Sequence, residues 1–324
     1  MAAFAIVTMI AQDWNIRFTK MTRCVILAAS IRGRQRKRGA GGEESRGGCL
    51  AERWTTMTEK KTDVQLAQLA LISNVWLLRD ACGRRFVIDA GDRVDRLAIA
   101  AALRRAGVVK PGDITAILLT HRHRDHAGNA AYLRERFQCP VICHGDDAPC
   151  LEGDAKPPRM AGRPLPPVDK FLCLMEDLQP ARSPVDEVYA DGKWKWGFDV
   201  IPVGGHTAGS VMLYHRPSRT LFAGDAILVG YPPLRMFDRL RLAMPEYSAD
   251  AAACHRNVRA FLNDAPPIAT LCSGHGPLVT RDVEKKLHTL RRGHAEKGGL
   301  WLTAVKLRRT WQRRDAERPS FAAR

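Results

Sequence analysis

Nowhere in the 324 residues do about 18 apolar side chains follow one another, so no membrane span is expected. Paired cysteines are missing too. The nine cysteines (Cys24, Cys49, Cys82, Cys139, Cys143, Cys150, Cys173, Cys254 and Cys272) form no CxxC pair, and an odd, irregular set reads as reduced thiols of a cytoplasmic protein. The order of a secretory signal is also absent: residues 1–12 are apolar, but no positive charge precedes them and Asp13 follows. No internal repeat or compositional break divides residues 64–290. A basic excess is nearly absent from the middle of the chain. The formal net charge of +17 divides into 10 basic against 4 acidic residues in 1–56, 28 against 25 in 57–277, and 13 against 5 in 278–324. The ends can attract RNA or anionic lipid nonspecifically, but the central part carries no nucleic-acid signature of its own.

What is present is the make-up of an ordinary globular protein, 45% hydrophobic and 26% charged, able to bury a large core. One domain of about 220 residues with extensions is expected. Residues 1–56 read as a disordered or dispensable extension, with Met57 a sensible start; 57–290 read as the folded domain, and 291–324 as a basic, partly helical tail. From residue 64 onward strand and helix patterns alternate. Residues 64–70, 73–78 and 86–89 are strand-like, and 95–106 has helical spacing closed by Gly107. Residues 114–120 form an apolar run expected to be a buried strand. A helix is expected over 128–137, strands over 140–144, 194–203, 211–215, 220–223 and 267–272, and a helix from a cap at Ser248 to Leu262. Val283, Leu287 and Leu290 give a last helical spacing. Between them, 145–185 holds Pro157, Pro158, Pro164, Pro166, Pro167 and Pro180 and reads as a long loop or insertion.

The chemistry concentrates in Thr120-His121-Arg122-His123-Arg124-Asp125-His126-Ala127-Gly128-Asn129. Four candidate ligands fall within six residues at the end of an apolar strand. In extended backbone alternate side chains share a face, so His121 and His123 can converge on one ion; Asp125 and His126 lie on the turn that follows and can face a second. Imidazole and carboxylate suit Zn and similar divalent ions. Three further strand patterns run into Gly205-His206-Thr207-Ala208-Gly209-Ser210, into Gly224-Asp225, and into Gly274-His275-Gly276. Glycine beside each ligand permits close backbone approach. His144, His215, His255, His288 and His294 stand alone and read as ordinary surface or core residues, and Cys272 as a packed core thiol.

HxHxDHxG, GHTxGS, GD and GHG in this order resemble the metallo-β-lactamase superfamily from about Leu69 to Pro277. The resemblance implies a four-layer αββα sandwich with metals at one edge. It implies that His121, His123 and His206 hold one divalent ion, that Asp125, His126 and His275 hold another, and that Asp225 bridges them. Phe86-Val87-Ile88-Asp89-Ala90-Gly91 is similar to the family's early strand and turn, which would make Asp89 a partner that orients the histidine loop. Zn is the expected ion, with Fe and Mn accepting the same ligands.

Two ions bridged in this way can lower the pKa of a shared water to about 7, so a metal-bridged hydroxide attacking an acyl substrate, with Asp125 handling a proton, is the implied chemistry. Asp225 stands where one β-lactamase group has cysteine, which turns the reading away from a dedicated antibiotic-degrading enzyme. The full ligand set resembles glyoxalase II, lactonases and phosphodiesterases. Glyoxalase II proper carries a substantial C-terminal helical domain, whereas 49 residues follow His275 here. A glyoxalase II-like hydrolase of a small thioester or lactone is therefore expected, its pocket walled by residues 227–237 and by the insertion before Trp194. A phosphodiesterase or nuclease using Arg235, Arg239 and Arg241 is the first alternative, and a persulfide dioxygenase-like oxidoreductase with one Fe the second.

Overall fold

The computed structural model describes residues 65–69, 73–158, 167–230 and 239–291. Its strands form two main sheets. The first holds β1 (Gln65–Gln68), β2 (Trp76–Arg79), β3 (Arg85–Ile88), β4 (Ala116–Leu118), β5 (Val141–Cys143) and β6 (Glu187–Val188) in chain order, antiparallel up to β3 and parallel from there. The second is built from β7 (Gly192–Lys193), β8 (Phe198–Pro202), β9 (Val211–His215) and β10 (Thr220–Gly224), and later receives β13 (Thr270–Ser273), in the order β13-β10-β9-β8-β7. Its neighbours are antiparallel except the parallel pair β10–β13. A two-stranded ribbon pairs β11 (Ile227–Val229) with β12 (Leu240–Leu242). The helices are α1 (Arg96–Arg105), α2 (Arg124–Ala127), α3 (Ala130–Phe137), α4 (Ala148–Glu152), α5 (Pro167–Leu178), α6 (Ala251–Asn263) and α7 (Val283–Arg291). No helix among the described residues is long and apolar enough to cross a membrane.

Alternation along the strands builds the layers. Trp76, Leu78, Phe86, Ile88 and Leu118 of the first sheet meet Phe198, Val211, Leu213, Phe222 and Cys272 of the second. Their sequence neighbours point the other way. Val87, Ile117 and Val141 pack under Ile99 and Leu103 of α1 and Leu133 and Phe137 of α3. Met212, Tyr214, Leu221 and Leu271 pack under Val258 and Leu262 of α6 and Leu287 of α7. Helices on sheet on sheet on helices is the expected αββα sandwich. Each fully buried Phe, Leu or Ile contributes about 1.5–3 kcal/mol, so strands covered on both faces must be apolar throughout. That is why they read as continuous runs.

β4, β8, β10 and β13 all end at one edge of this sandwich, since β8 runs with β10 and β10 with β13. There the two sheets are laced together: Val211 N–H donates to the Thr120 carbonyl at 2.9 Å, and Trp76 Nε1 to that of Ser273 at 3.1 Å. The ligand-bearing segments emerge from this edge.

Three expectations need correction. The stretch 145–185 is not a plain loop, because α4 and the 12-residue α5 lie within it. Proline stands at the start of each, where it costs a helix no hydrogen bond. The cap of α6 is Asp250, whose side chain accepts from Ala253 N–H; Ser248 sits two residues earlier and serves elsewhere. Residues 227–229 of the expected pocket wall belong to a buried strand. Ile227, Leu228 and Val229 form β11 and are buried, with Ile227 and Val229 in the core under α6 and α7. Residues 231–237 of that expected wall, Arg235 among them, lie outside the described residues, as do the extension 1–56, the tail beyond Arg291 and His294.

Candidate metal centre

His121 and His123 follow β4, where the chain leaves the sheet, and His123 stands immediately before α2. Asp125 and His126 lie in the single turn of α2. His206 follows β8, Asp225 follows β10 and His275 follows β13. The fold brings all seven together. Ligand atoms of His121, His123 and His206 lie within 4.8 Å of one another, as do those of Asp125, His126 and His275, and those of His121, His126 and Asp225. The Asp225 carboxylate stands between the two triads, with Oδ2 3.7 Å from His206 Nε2 and 3.4 Å from His275 Nε2, and Oδ1 3.3 Å from His126 Nε2. Asp125 Oδ2 is 3.2 Å from His275 Nε2.

The far side of three imidazoles is anchored, which leaves each Nε2 facing the centre. Asp89 Oδ2 lies 2.8 Å from His126 Nδ1, so a carboxylate fixes the proton there. The Thr120 hydroxyl donates to Asp89 and so accepts from His121 Nδ1, 3.1 Å away. The Ser248 hydroxyl donates to the Met244 carbonyl at 2.7 Å and accepts from His206 Nδ1 at 2.9 Å. Asp89 itself is held in the left-handed region at φ 59° and also takes Thr120 N–H, which matches the orienting role expected of it. Strain of this kind persists where surrounding contacts overdetermine it.

The consequence is a set of orphaned atoms. His121 Nε2, His123 Nε2, His126 Nε2, His206 Nε2 and Asp225 Oδ1 are buried without a hydrogen-bond partner. Buried polar atoms are nearly always satisfied, so five that converge mark a place where a ligand is required. Burial, then the neighbouring histidines, holds His121 and His123 well below the usual imidazole range. Burial likewise holds His206 down to about 4, against the pull of Asp225. At His275 burial is outweighed by Asp225 and by its bond to Asp125, which push it up to about 10. The imidazoles of His121, His123 and His206, held neutral, together with the carboxylates of Asp125 and Asp225 are donors that a divalent cation takes. The residues fit the metal that the donor set implies.

The superfamily's profile, described as the metallo-beta-lactamase superfamily, matches residues 69–275. The chain belongs to the metallo-beta-lactamase superfamily. It is an enzyme of that superfamily and is similar to a probable metallo-hydrolase, YybB, of Bacillus subtilis (strain 168), at 28% identity over 51% of this chain and 68% of that one. It is also 28% identical to a hydroxyacylglutathione hydrolase of Bdellovibrio bacteriovorus, over 52% of this chain and 54% of the relative, so the match spans about half the length of that protein. Among solved structures, the metallo-beta-lactamase family protein TTHA1429 from Thermus thermophilus shares the fold, with a TM-score of 0.50 and 21% identity over 71% of this chain and 79% of that one.

Sequence reasoning missed Ser248 as an anchor of His206, and it missed Glu176 and Asp147 altogether. Glu176 of α5 accepts Arg124 N–H at 2.9 Å and lies 3.6 Å from Arg122 Nη1, which fastens the insertion helix to the histidine loop. Burial pushes its carboxyl up to about 7 even though Arg124 N–H pulls the other way. Two of the solitary histidines are seen in ordinary structural roles. His215 is a core residue bonded to Ser218, and His255 bonds the Ala243 carbonyl.

Proposed function

We propose that the chain is a dinuclear metal-dependent acyl hydrolase with a small thioester or lactone as its substrate class. His121, His123 and His206 would hold one ion, Asp125, His126 and His275 the other, and Asp225 would touch both. Zn is the ion that this mixture of neutral imidazole and carboxylate favours. The observation that carries the reading is the convergence of five orphaned buried atoms from three separate strand ends, those of β4, β8 and β10. The hydroxyacylglutathione hydrolase relative supports the acyl part, since its name describes cleavage of an acyl group from a thiol.

When bound, such a pair of ions supplies a water of lowered pKa and a Lewis acid for the acyl oxygen. The residues do the rest. Asp89, Thr120 and Ser248 keep each imidazole in the tautomer that offers Nε2 inward. Asp125 combines membership of the donor set with the greatest exposure in it, 28% for its side chain. We assign it the proton that must leave during turnover, in competition with ligation for the same two oxygens.

The test is a panel of thioesters and lactones run against linear and cyclic phosphodiesters with one metal-reconstituted sample, alongside elemental analysis. Two ions per chain and turnover of the acyl compounds are expected. Preference for phosphodiesters that falls on replacing Arg235, Arg239 and Arg241 together would favour the nuclease alternative. One Fe per chain with oxygen consumption would favour the persulfide dioxygenase alternative.

A further inference from the structure

Asp147 lies in none of the donor groups and immediately precedes α4, where an aspartate ordinarily caps the helix with its side chain. It makes no such bond. Its carboxylate is turned inward and is fully buried. Oδ2 accepts Arg122 N–H at 2.9 Å and the Thr207 hydroxyl at 2.6 Å, and Oδ1 accepts Gly209 N–H at 3.0 Å. The Arg122 guanidinium, itself buried, lies 3.8 Å from Oδ1. Arg122 stands between His121 and His123, and Thr207 follows His206. One carboxylate therefore grips the backbone or hydroxyl one residue away from each of the three histidines in the first triad.

The grip is close. A Cβ on Gly209 would fall 2.7 Å from Asp147 N and 2.8 Å from its Cγ, so the His206 loop can be drawn onto Asp147 only with glycine at that point. The two loops come from different sheets, β4 in the first and β8 in the second. Asp147 bonds both loops, and the Val211 N–H to Thr120 carbonyl bond joins their bases.

We propose that Asp147 is a positioning residue that holds the His121–His123 loop and the His206 loop at the separation their shared ion requires. It touches neither the ligand atoms nor the reacting groups and acts through Arg122, Thr207 and Gly209. The inference rests on the metal reading above and adds a residue to it.

The experiment is chelator competition on the metal-reconstituted full chain, giving separate affinities for the two ions. Wild type, Asp147→Asn, Thr207→Val and Thr207→Ser are compared, with circular dichroism and Tm recorded for each. Asp147→Asn keeps the shape but turns an amide NH2 toward an N–H or O–H donor. Partners that orient ligands typically cost 10–100-fold in affinity when removed. The expected result is a loss of roughly that size for one ion, with the other ion changed less than about threefold. Thr207→Val should show part of the loss and Thr207→Ser should restore it. A lowered Tm with both affinities unchanged, or with both reduced equally, would overturn the inference and leave Asp147 a packing residue. If Asp147→Asn does not fold, the Thr207 pair decides: equal affinities in Val and Ser overturn it. Wild type that binds no ion would instead sink the proposed function, a result distinct from any difference among the variants.

Discussion

His206 Nδ1 lies 2.9 Å from the Ser248 hydroxyl, which spends its own proton on the Met244 carbonyl. The oxygen is therefore left as an acceptor, and the imidazole must carry its proton on Nδ1. Ser248→Ala removes that constraint while leaving the ring in place, so Nε2 becomes free to hold the proton. About a tenfold loss of affinity for one ion is expected, with Tm of the metal-free protein little changed. Chelator competition on Ser248→Ala and Ser248→Thr reads the effect, and Thr, which keeps the hydroxyl, should stay near wild type. Equal affinity in all three would remove Ser248 from the centre.

At Gly274 the backbone runs close against the cluster. A Cβ there would run into the Asp225 carboxylate and come within 2.6 Å of His126 Cε1 and 3.0 Å of the Gly224 carbonyl carbon. The His126 ring is held by Asp89 and the Gly224 carbon is backbone, so these two cannot swing aside. Gly274→Ala is expected to displace Asp225 or His126 and reduce turnover by at least roughly 100-fold, the cost of displacing reacting groups by about 1 Å. The sandwich core lies elsewhere and should survive, which far-UV circular dichroism would check. A variant with wild-type rate and two ions per chain would contradict the crowded geometry.

The legible part of this molecule is the part written locally. His121, His123, Asp125 and His126 stand within six residues after an apolar run, and strands covered on both faces announce themselves as such. Ser248, Glu176 and Asp147 were not legible because each takes its role from a residue distant in sequence: His206 is 42 positions from Ser248, Arg124 52 from Glu176 and Thr207 60 from Asp147. Each is a single polar residue without period or repeat, and only the meeting of two sheets gives it a role. Ser248 was misread for a related reason. A serine just before an apolar helical pattern is a good cap by local rules, but Asp250 also is, and the tertiary need of His206 claimed the serine. The proline-rich stretch misled in the same way, since a proline that starts a helix looks locally like one that prevents it.

Metal removal should be felt as stability. A ligand that binds the folded chain alone stabilises it by about 4 kcal/mol when free ligand exceeds Kd by about 1,000-fold. For a domain of roughly 220 residues each kcal/mol is worth about 2–4 °C, so stripping the ions is expected to lower Tm by roughly 8–16 °C. The orphaned Nε2 atoms are the reason, because they face one another without a partner once the cation leaves. Differential scanning calorimetry before and after chelation, and again after Zn is restored, measures it. An unchanged Tm would mean that the site binds no ion tightly.

The last expectation concerns acid, and it lies away from the centre. His215, at the end of β9, is fully buried, bonded through Nδ1 to Ser218 Oγ at 2.7 Å and packed 4.9 Å from the Phe198 ring. Its Nε2 has no partner. Burial holds the ring down to about 4 from an ordinary 6.5, with Asp80 pulling upward and Arg84 and Arg216 downward. The sign follows from proton counting. Between about pH 6.5 and 4 the unfolded chain binds a proton at His215 that the folded chain refuses, so stability is complete above pH 6.5 and is lost as pH falls toward 4. Histidines of the metal centre that are also held low add losses of the same sign, so the total acid sensitivity does not isolate His215. The difference between two proteins does. His215→Phe cannot titrate, and every other histidine is common to both chains, so their contributions cancel. Urea midpoints of metal-free wild type and His215→Phe, compared at pH 7 and pH 5, should therefore shift relative to each other in favour of the variant at the lower pH. A gap that is the same at both values would show that His215 protonates as readily in the folded chain as in the unfolded one.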